Sequence, residues 1–188
     1  FFLSKENLYP DESYLMDDAT LEHYIRQLMA SSPGPQVEVS WQGGEPMLRG
    51  LAFYRRAVQL AQQYRRPEQQ VLHTMQTNGT LIDEEWAAFF KQHGFLVGIS
   101  IDGPPALHDR YRVNKKGLGS FEQVRRGWDC LQRHGVDTNV LCTVHAGNAG
   151  QPLEVYRFFR DELGVRYIQL IPIVERATEQ TIHLANQG

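Results

Sequence analysis

The sequence predicts an α/β protein, a partial (β/α) barrel in which parallel strands alternate with helices. Short strand-like runs and stretches of helical periodicity alternate from residue 17 to residue 173, the order that right-handed strand–helix–strand crossovers require. The strands also have two unlike faces. Val37, Val39 and Trp41 oppose Glu38, Ser40 and Gln42; Val97, Ile99 and Ile101 oppose Gly98, Ser100 and Asp102; Val140, Cys142 and Val144 oppose Leu141, Thr143 and His145. Strands buried on both sides read as continuous apolar runs, so a small or polar second face points to a sheet curled round a cavity. Polar and glycine-bearing turns follow the strands, at the end where a barrel holds its ligand. Five strands make an incomplete barrel, read as one core unit over residues 1–188. Lacking its first strand and cut after its sixth, it is expected to leave open edges at the Val37 and Tyr167 strands.

Each element has its own signal. A helix starts near Asp17 or Asp18, with Leu21, Tyr24, Ile25, Leu28 and Met29 at helical spacing, and ends at Ser31-Ser32-Pro33-Gly34-Pro35. The Val37–Gln42 strand leads into Gly43-Gly44-Glu45-Pro46, and a helix follows with Leu51, Tyr54, Val58, Ala61 and Tyr64 on one stripe. The Val71–Thr77 strand closes in Asn78-Gly79, and Asp83 is placed to cap a helix carrying Trp86, Phe89 and Phe90, stopped at Gly94. The Leu96–Ile101 strand runs into Asp102-Gly103-Pro104-Pro105 and a long loop. Phe121, Val124, Trp128 and Leu131 form the next helical stripe, up to Gly135. The Thr138–Val144 strand, a helix over Leu153–Leu163 and the Tyr167–Ile173 strand complete the alternation.

Composition narrows the function. A chain of 188 residues with 41% hydrophobic and 22% charged residues and a net charge of −3 gives no footing for nucleic acid or an anionic membrane. No apolar run approaches the roughly 18 residues of a membrane span, and the cytoplasm is the simplest expected location. Cys130 and Cys142 form neither a disulfide framework nor a metal motif. Cys130 reads as lying off the apolar stripe of its helix, Cys142 alternates with valines, and both read as passive. The seven histidines contain no HxH or HExxH pattern. Ser100 has no evident histidine partner, which argues against a hydrolase triad. His108-Asp109-Arg110-Tyr111-Arg112 reads as a charged loop, either solvated surface or a site where an arginine forks onto a ligand carboxylate. Gly43 and Gly44 let backbone approach a ligand without a Cβ in the way, with the Glu45 carboxylate beside them to accept from an ammonium.

Trp41-Gln42-Gly43-Gly44-Glu45-Pro46, Gln76-Thr77-Asn78-Gly79-Thr80, Ser100-Ile101-Asp102-Gly103-Pro104, His108-Asp109-Arg110-Tyr111-Arg112, Gly119-Ser120-Phe121 and Ile171-Pro172-Ile173-Val174-Glu175-Arg176 occur in order along the chain. Together they resemble the radical S-adenosylmethionine enzymes and, within them, the anaerobic sulfatase-maturating enzymes, over nearly the whole chain. The resemblance implies a barrel of the radical SAM type and an oxidoreductase that converts a cysteine or serine of a sulfatase to formylglycine through a 5′-deoxyadenosyl radical. It implies S-adenosylmethionine and a [4Fe–4S] cluster as cofactors, a sulfatase polypeptide as substrate and an electron-donor protein as partner.

Carried over by motif, Gly44 and Glu45 meet the methionyl amine, Ser100 the ribose and Arg112 the methionyl carboxylate. Ile173 and Val174 meet the adenine, while Gln42 and Phe2 lie toward substrate. The family's CxxxCxxC cluster motif would end immediately before Phe1, and its auxiliary clusters and catalytic acid or base lie C-terminal to Gly188. The chain is therefore expected to be a piece of a longer protein, inactive alone, unable to hold the cluster and weak in binding S-adenosylmethionine. Two other readings stay open: a radical maturase of another peptide, such as one installing a crosslink, and a non-catalytic barrel that keeps a nucleoside or peptide pocket without its cluster.

Overall fold

The computed structural model describes residues 15–173. Their elements run α1 (Asp18–Ser31), β1 (Gln36–Trp41), a 3₁₀ turn (Pro46–Arg49), α2 (Leu51–Tyr64), β2 (Gln70–Thr77), α3 (Glu84–Gln92) and β3 (Phe95–Ser100). Then come α4 (Pro105–His108), α5 (Phe121–His134), β4 (Asp137–Val144), α6 (Pro152–Arg157), a π turn (Phe158–Glu162) and β5 (Ile168–Pro172). The five strands form one sheet in the order β1-β2-β3-β4-β5. Every pair is parallel, with Val37 beside Val71, Met75 beside Val97, Ile99 beside Val140 and Cys142 beside Leu170. Curled in this way, the sheet is a half-barrel with β1 and β5 as its edges among the described residues.

The core lies between the apolar strand face and the helices. Val37, Val39, Val97, Ile99, Val140 and Cys142 are buried there, against Leu21, Ile25 and Met29 of α1, Leu60 and Ala61 of α2, and Phe89 and Phe90 of α3. Local chemistry starts the helices where expected. The Asp17 side chain accepts from the Thr20 amide at 2.7 Å, and Asp83 accepts from the Trp86 amide at 2.9 Å, each satisfying a first-turn donor that has no helical partner. Trp41 packs edge-on against Tyr24, Phe53 and Tyr54, which joins the end of β1 to α1 and α2.

Several expectations are corrected. The helix over Leu153–Leu163 is α for one and a half turns and then widens, the Leu163 amide donating to the Phe158 carbonyl. In that wider turn both Phe158 and Phe159 are buried. The long loop after the third strand contains α4 and an antiparallel bridge between Val113 and Gly119. Pro46–Arg49 forms a 3₁₀ turn ahead of α2. Strand ends differ from expectation by a residue or so, where alternation alone does not show the last ladder bond. Cys130 is in the core at 3% exposure, not off the stripe, and α5 packs against α3.

Candidate functional site

The turn after β1 is shaped by Gly43 and Gly44, whose φ angles of +111° and +60° lie where side chains are rarely tolerated. A Cβ built on Gly43 would meet no heavy atom within 4 Å, so the backbone there faces open space. Glu45 then pins the turn. Its Oε1 accepts from the Met47 amide at 3.1 Å, capping the 3₁₀ turn, and from Thr77 Oγ1 at 2.8 Å; its Oε2 accepts from the Asn78 amide at 2.8 Å. A carboxylate offers about four lone-pair sites, so three donors from the chain hold Glu45 rigidly and leave capacity for one more. The Tyr54 hydroxyl donates to the Pro46 carbonyl at 2.6 Å and fixes the exit. Burial, with the Glu45 charge adding to it, raises the Tyr54 pKa well above the usual phenol value, so the hydroxyl stays protonated as a donor.

A second node joins β3, β4 and the α4 loop. Asp102 is fully buried, and Arg112 forks onto it, Nε to Oδ2 at 2.5 Å and Nη2 to Oδ1 at 3.0 Å. The Thr143 amide also donates to Asp102 Oδ1 at 2.8 Å, and Arg112 Nη2 reaches Thr143 Oγ1 at 3.1 Å. Asn148 bridges the same strand ends, its Nδ2 donating to the carbonyls of Asp102 at 3.1 Å and Thr143 at 2.8 Å. His108 lies under the node with no exposed surface. Its Nδ1 accepts from the Asp102 amide at 3.3 Å, so Nε2 carries the proton toward Ser120 Oγ at 3.1 Å, and that hydroxyl donates to the Arg112 carbonyl at 2.8 Å. Burial, with Arg112 adding to it, lowers the His108 pKa to about 4, in keeping with a neutral ring. The segment read as a charged loop is thus partly core: its histidine is a structural donor, and its last arginine is paired.

The inner sheet face holds a cavity of about 240 Å³ whose lining includes Gln42, Gln76, Gly98, Asn139, Leu141 and Gln169. Gln76 Nε2 donates to Ser100 Oγ at 3.1 Å. A Cβ on Gly98 would collide with Gln76 Oε1 and lie 2.9 Å from Asn139 Oδ1, so glycine is what lets these two amides converge. On the same face, at its exposed side, Thr74 Oγ1, Ser40 Oγ and Glu38 Oε1 form a small hydrogen-bonded cluster.

The expected site residues fall along the C-terminal edge of the sheet. Gly44 and Glu45 follow β1, Ser100 ends β3, Arg112 is tied to both β3 and β4, and the Ile173 amide donates to the Val144 carbonyl at 3.0 Å. Gln42 lines the inner cavity. Phe2 and Val174 lie outside the described residues. Reading the residues missed Asp102 as the partner of Arg112 and Asn148 as the bridge behind them. Strand alternation already placed Asp102 on the Ser100 face, and a carboxylate on a face turned toward an arginine-rich loop was the available signal.

The Radical SAM superfamily model matches residues 7–159. The serine-type anaerobic sulfatase-maturating enzyme of Bacteroides thetaiotaomicron is 44% identical over 177 residues, covering 94% of this chain and 42% of that protein. The cysteine-type enzyme of Clostridium perfringens is 33% identical over 166 residues, covering 88% of this chain and 44% of that protein. The solved structure of native anSMEcpe with bound AdoMet and Kp18Cys peptide superposes with a TM-score of 0.84 at 32% identity, over 89% of this chain and 47% of that one. The chain spans less than half the length of these curated relatives.

Proposed function

The chain belongs to the radical SAM superfamily, and from that membership we propose that it forms the S-adenosylmethionine-binding part of an enzyme oxidising a sulfatase residue to formylglycine. The observation that carries this reading is the 44% identity, over 94% of the chain, to a serine-type sulfatase-maturating enzyme. The serine-type enzyme of Bacteroides is 44% identical over 177 residues, against 38% over 136 for the cysteine-type enzyme of Clostridium novyi and 33% over 166 for that of Clostridium perfringens, and a seryl substrate is the reading tested first.

The residues suit the cofactor. The bare backbone at Gly43 opens onto space at the strand end, Gly44 beside it shares the positive-φ turn, and Glu45 keeps acceptor capacity for a ligand amine. Arg112 would meet the carboxylate, oriented by Asp102, and Ser100 would hold the ribose with Gln76 setting its hydroxyl. Ile173, anchored to β4, fixes the strand end at which adenine would lie. Bound there, S-adenosylmethionine with its reduced cluster supplies hydrogen-atom abstraction, and this chain positions the reacting parts and keeps water out. The cluster does not fit the cysteines present: Cys130 and Cys142 are buried on different elements and lack the family's spacing. Cluster ligands and an acid or base are carried over to no residue of this chain.

The test is anaerobic turnover of the reconstituted full-length enzyme with matched seryl and cysteinyl sulfatase peptides, read by mass spectrometry. Loss of two hydrogens from the seryl residue is the expected result. Cofactor cleavage with neither peptide altered would overturn the sulfatase assignment while leaving superfamily membership intact.

A further inference from the structure

We propose that Glu84, Cys130 and His134 form a binding site for a borderline-soft divalent cation, of which zinc is the type, between α3 and α5. Their carboxylate oxygen, thiol sulfur and imidazole nitrogen all lie within 4.8 Å of one another. The grouping follows from helix geometry. Cys130 and His134 are four residues apart and so face the same way one turn apart on α5. Glu84 opens α3, and these two helices pack together.

Sulfur, nitrogen and oxygen donors in threes, with a fourth position left for water, are a set that zinc accepts. The side chains are already aimed at one another. His134 Nε2 lies 2.5 Å from Glu84 Oε2, while Arg133 Nη2 holds Glu84 Oε1, also at 2.5 Å. Arg133 therefore fixes the carboxylate and leaves Oε2 directed at the imidazole, and a cation would take the place of the imidazole and thiol hydrogen bonds to Glu84. One thiolate and one carboxylate offset a dication, the imidazole ligates in its neutral form, and the Arg133 guanidinium leaves one positive charge at the exposed rim. Side-chain exposures of 66% for Glu84 and 27% for His134 give a cation a way in, while Cys130 forms the floor. Arg133 and His134 hold the Glu84 carboxylate, and the Cys130 thiol hydrogen-bonds to the same carboxylate, so the three donor groups already converge on one point. Burial, with the hydrogen bond to Glu84 and then the Glu84 charge adding to it, raises the Cys130 pKa, which keeps the metal-free thiol protonated. No chain-local pattern reveals this group, because its ligands come from two helices that only the fold brings together. The proposal is independent of the proposed activity.

The experiment is an anaerobic cobalt(II) titration of the 188-residue chain, followed by zinc. A sulfur-to-cobalt charge-transfer band saturating at one equivalent and bleached by zinc is expected. Cys142→Ser should keep the band and Cys130→Ser should lose it. Glu84→Gln and His134→Gln should each weaken cobalt binding by about tenfold or more. Glu84 is on an exposed first turn, so its variant is the arm that retains the fold, checked by circular dichroism, should Cys130→Ser prove unstable. Absence of the band in the folded wild-type chain, or a band with unchanged affinity in Glu84→Gln, would overturn the site.

Discussion

Asp102 shares its buried carboxylate between the Arg112 guanidinium and the Thr143 amide, so two strand ends and the loop between them meet at one charge. Removing either partner of a buried pair strands the other, which typically costs about 3–5 kcal/mol. Asp102→Ala and Arg112→Ala are each expected to lower the unfolding free energy obtained from urea titration by that order, and the double variant to lose less than the sum of the two. Independent losses that add would mean the pair is not coupled. His73 is a simpler buried base: it stacks on Phe95 at 4.8 Å, neither ring nitrogen has a hydrogen-bond partner among the described residues, and burial lowers its pKa to about 4. The unfolded chain takes up this proton near 6.5 and the folded chain only near 4, so the stabilisation is whole above 6.5 and is lost as pH falls toward 4. His108 adds to the same window, its pKa being lowered likewise. Urea midpoints of His73→Leu measured from neutral pH to pH 4 should fall less steeply than those of the wild type; parallel curves would contradict the assignment.

At the scale of the element, close approach decides what a residue costs. Gly127 lies inside α5, where alanine would ordinarily favour the helix by about 1 kcal/mol. A Cβ at this position would run into the Gly79 backbone carbonyl, and Ile82 Cβ lies 3.2 Å away, so α5 can lie on the turn after β2 only as long as residue 127 has no side chain. Gly127→Ala is therefore expected to destabilise by about 1–3 kcal/mol, the overpacking penalty, with propensity outvoted. Equilibrium urea unfolding checks the sign, and a stabilised variant would refute it. Strands and helix stripes were legible in the sequence because periodicity reports which face is buried, as with Val37, Val39 and Trp41. Short elements such as α4 and the π turn were not, since four or five residues carry no period. In the site, the Gly43–Gly44 turn was readable from residue type, whereas the Asp102–Arg112 fork, the buried His108 and the core position of Cys130 depend on neighbours brought from other elements.

For the whole molecule, the open sheet is the dominant fact. β1 and β5 end the sheet among the described residues, and β5 exposes Leu170 and Ile171 beside an apolar cavity of about 370 Å³ lined by Val144, Val155, Phe159 and Ile168. Edge strands with exposed apolar side chains pair with other chains unless a charge intervenes. The 188-residue chain is expected to self-associate, and Ile171→Lys to shift its sedimentation toward monomer; a wild type monomeric at high concentration would refute this. The strand order carries a further consequence, for biosynthesis. Each strand lies beside the next one in sequence, so no ladder waits for a distant segment to be made. Translation adds roughly 5–20 residues per second, far slower than the docking of one strand–helix unit. The sheet can thus grow from β1 toward β5 as the ribosome releases it, the newest strand always the exposed edge, ready to receive the strand translated next.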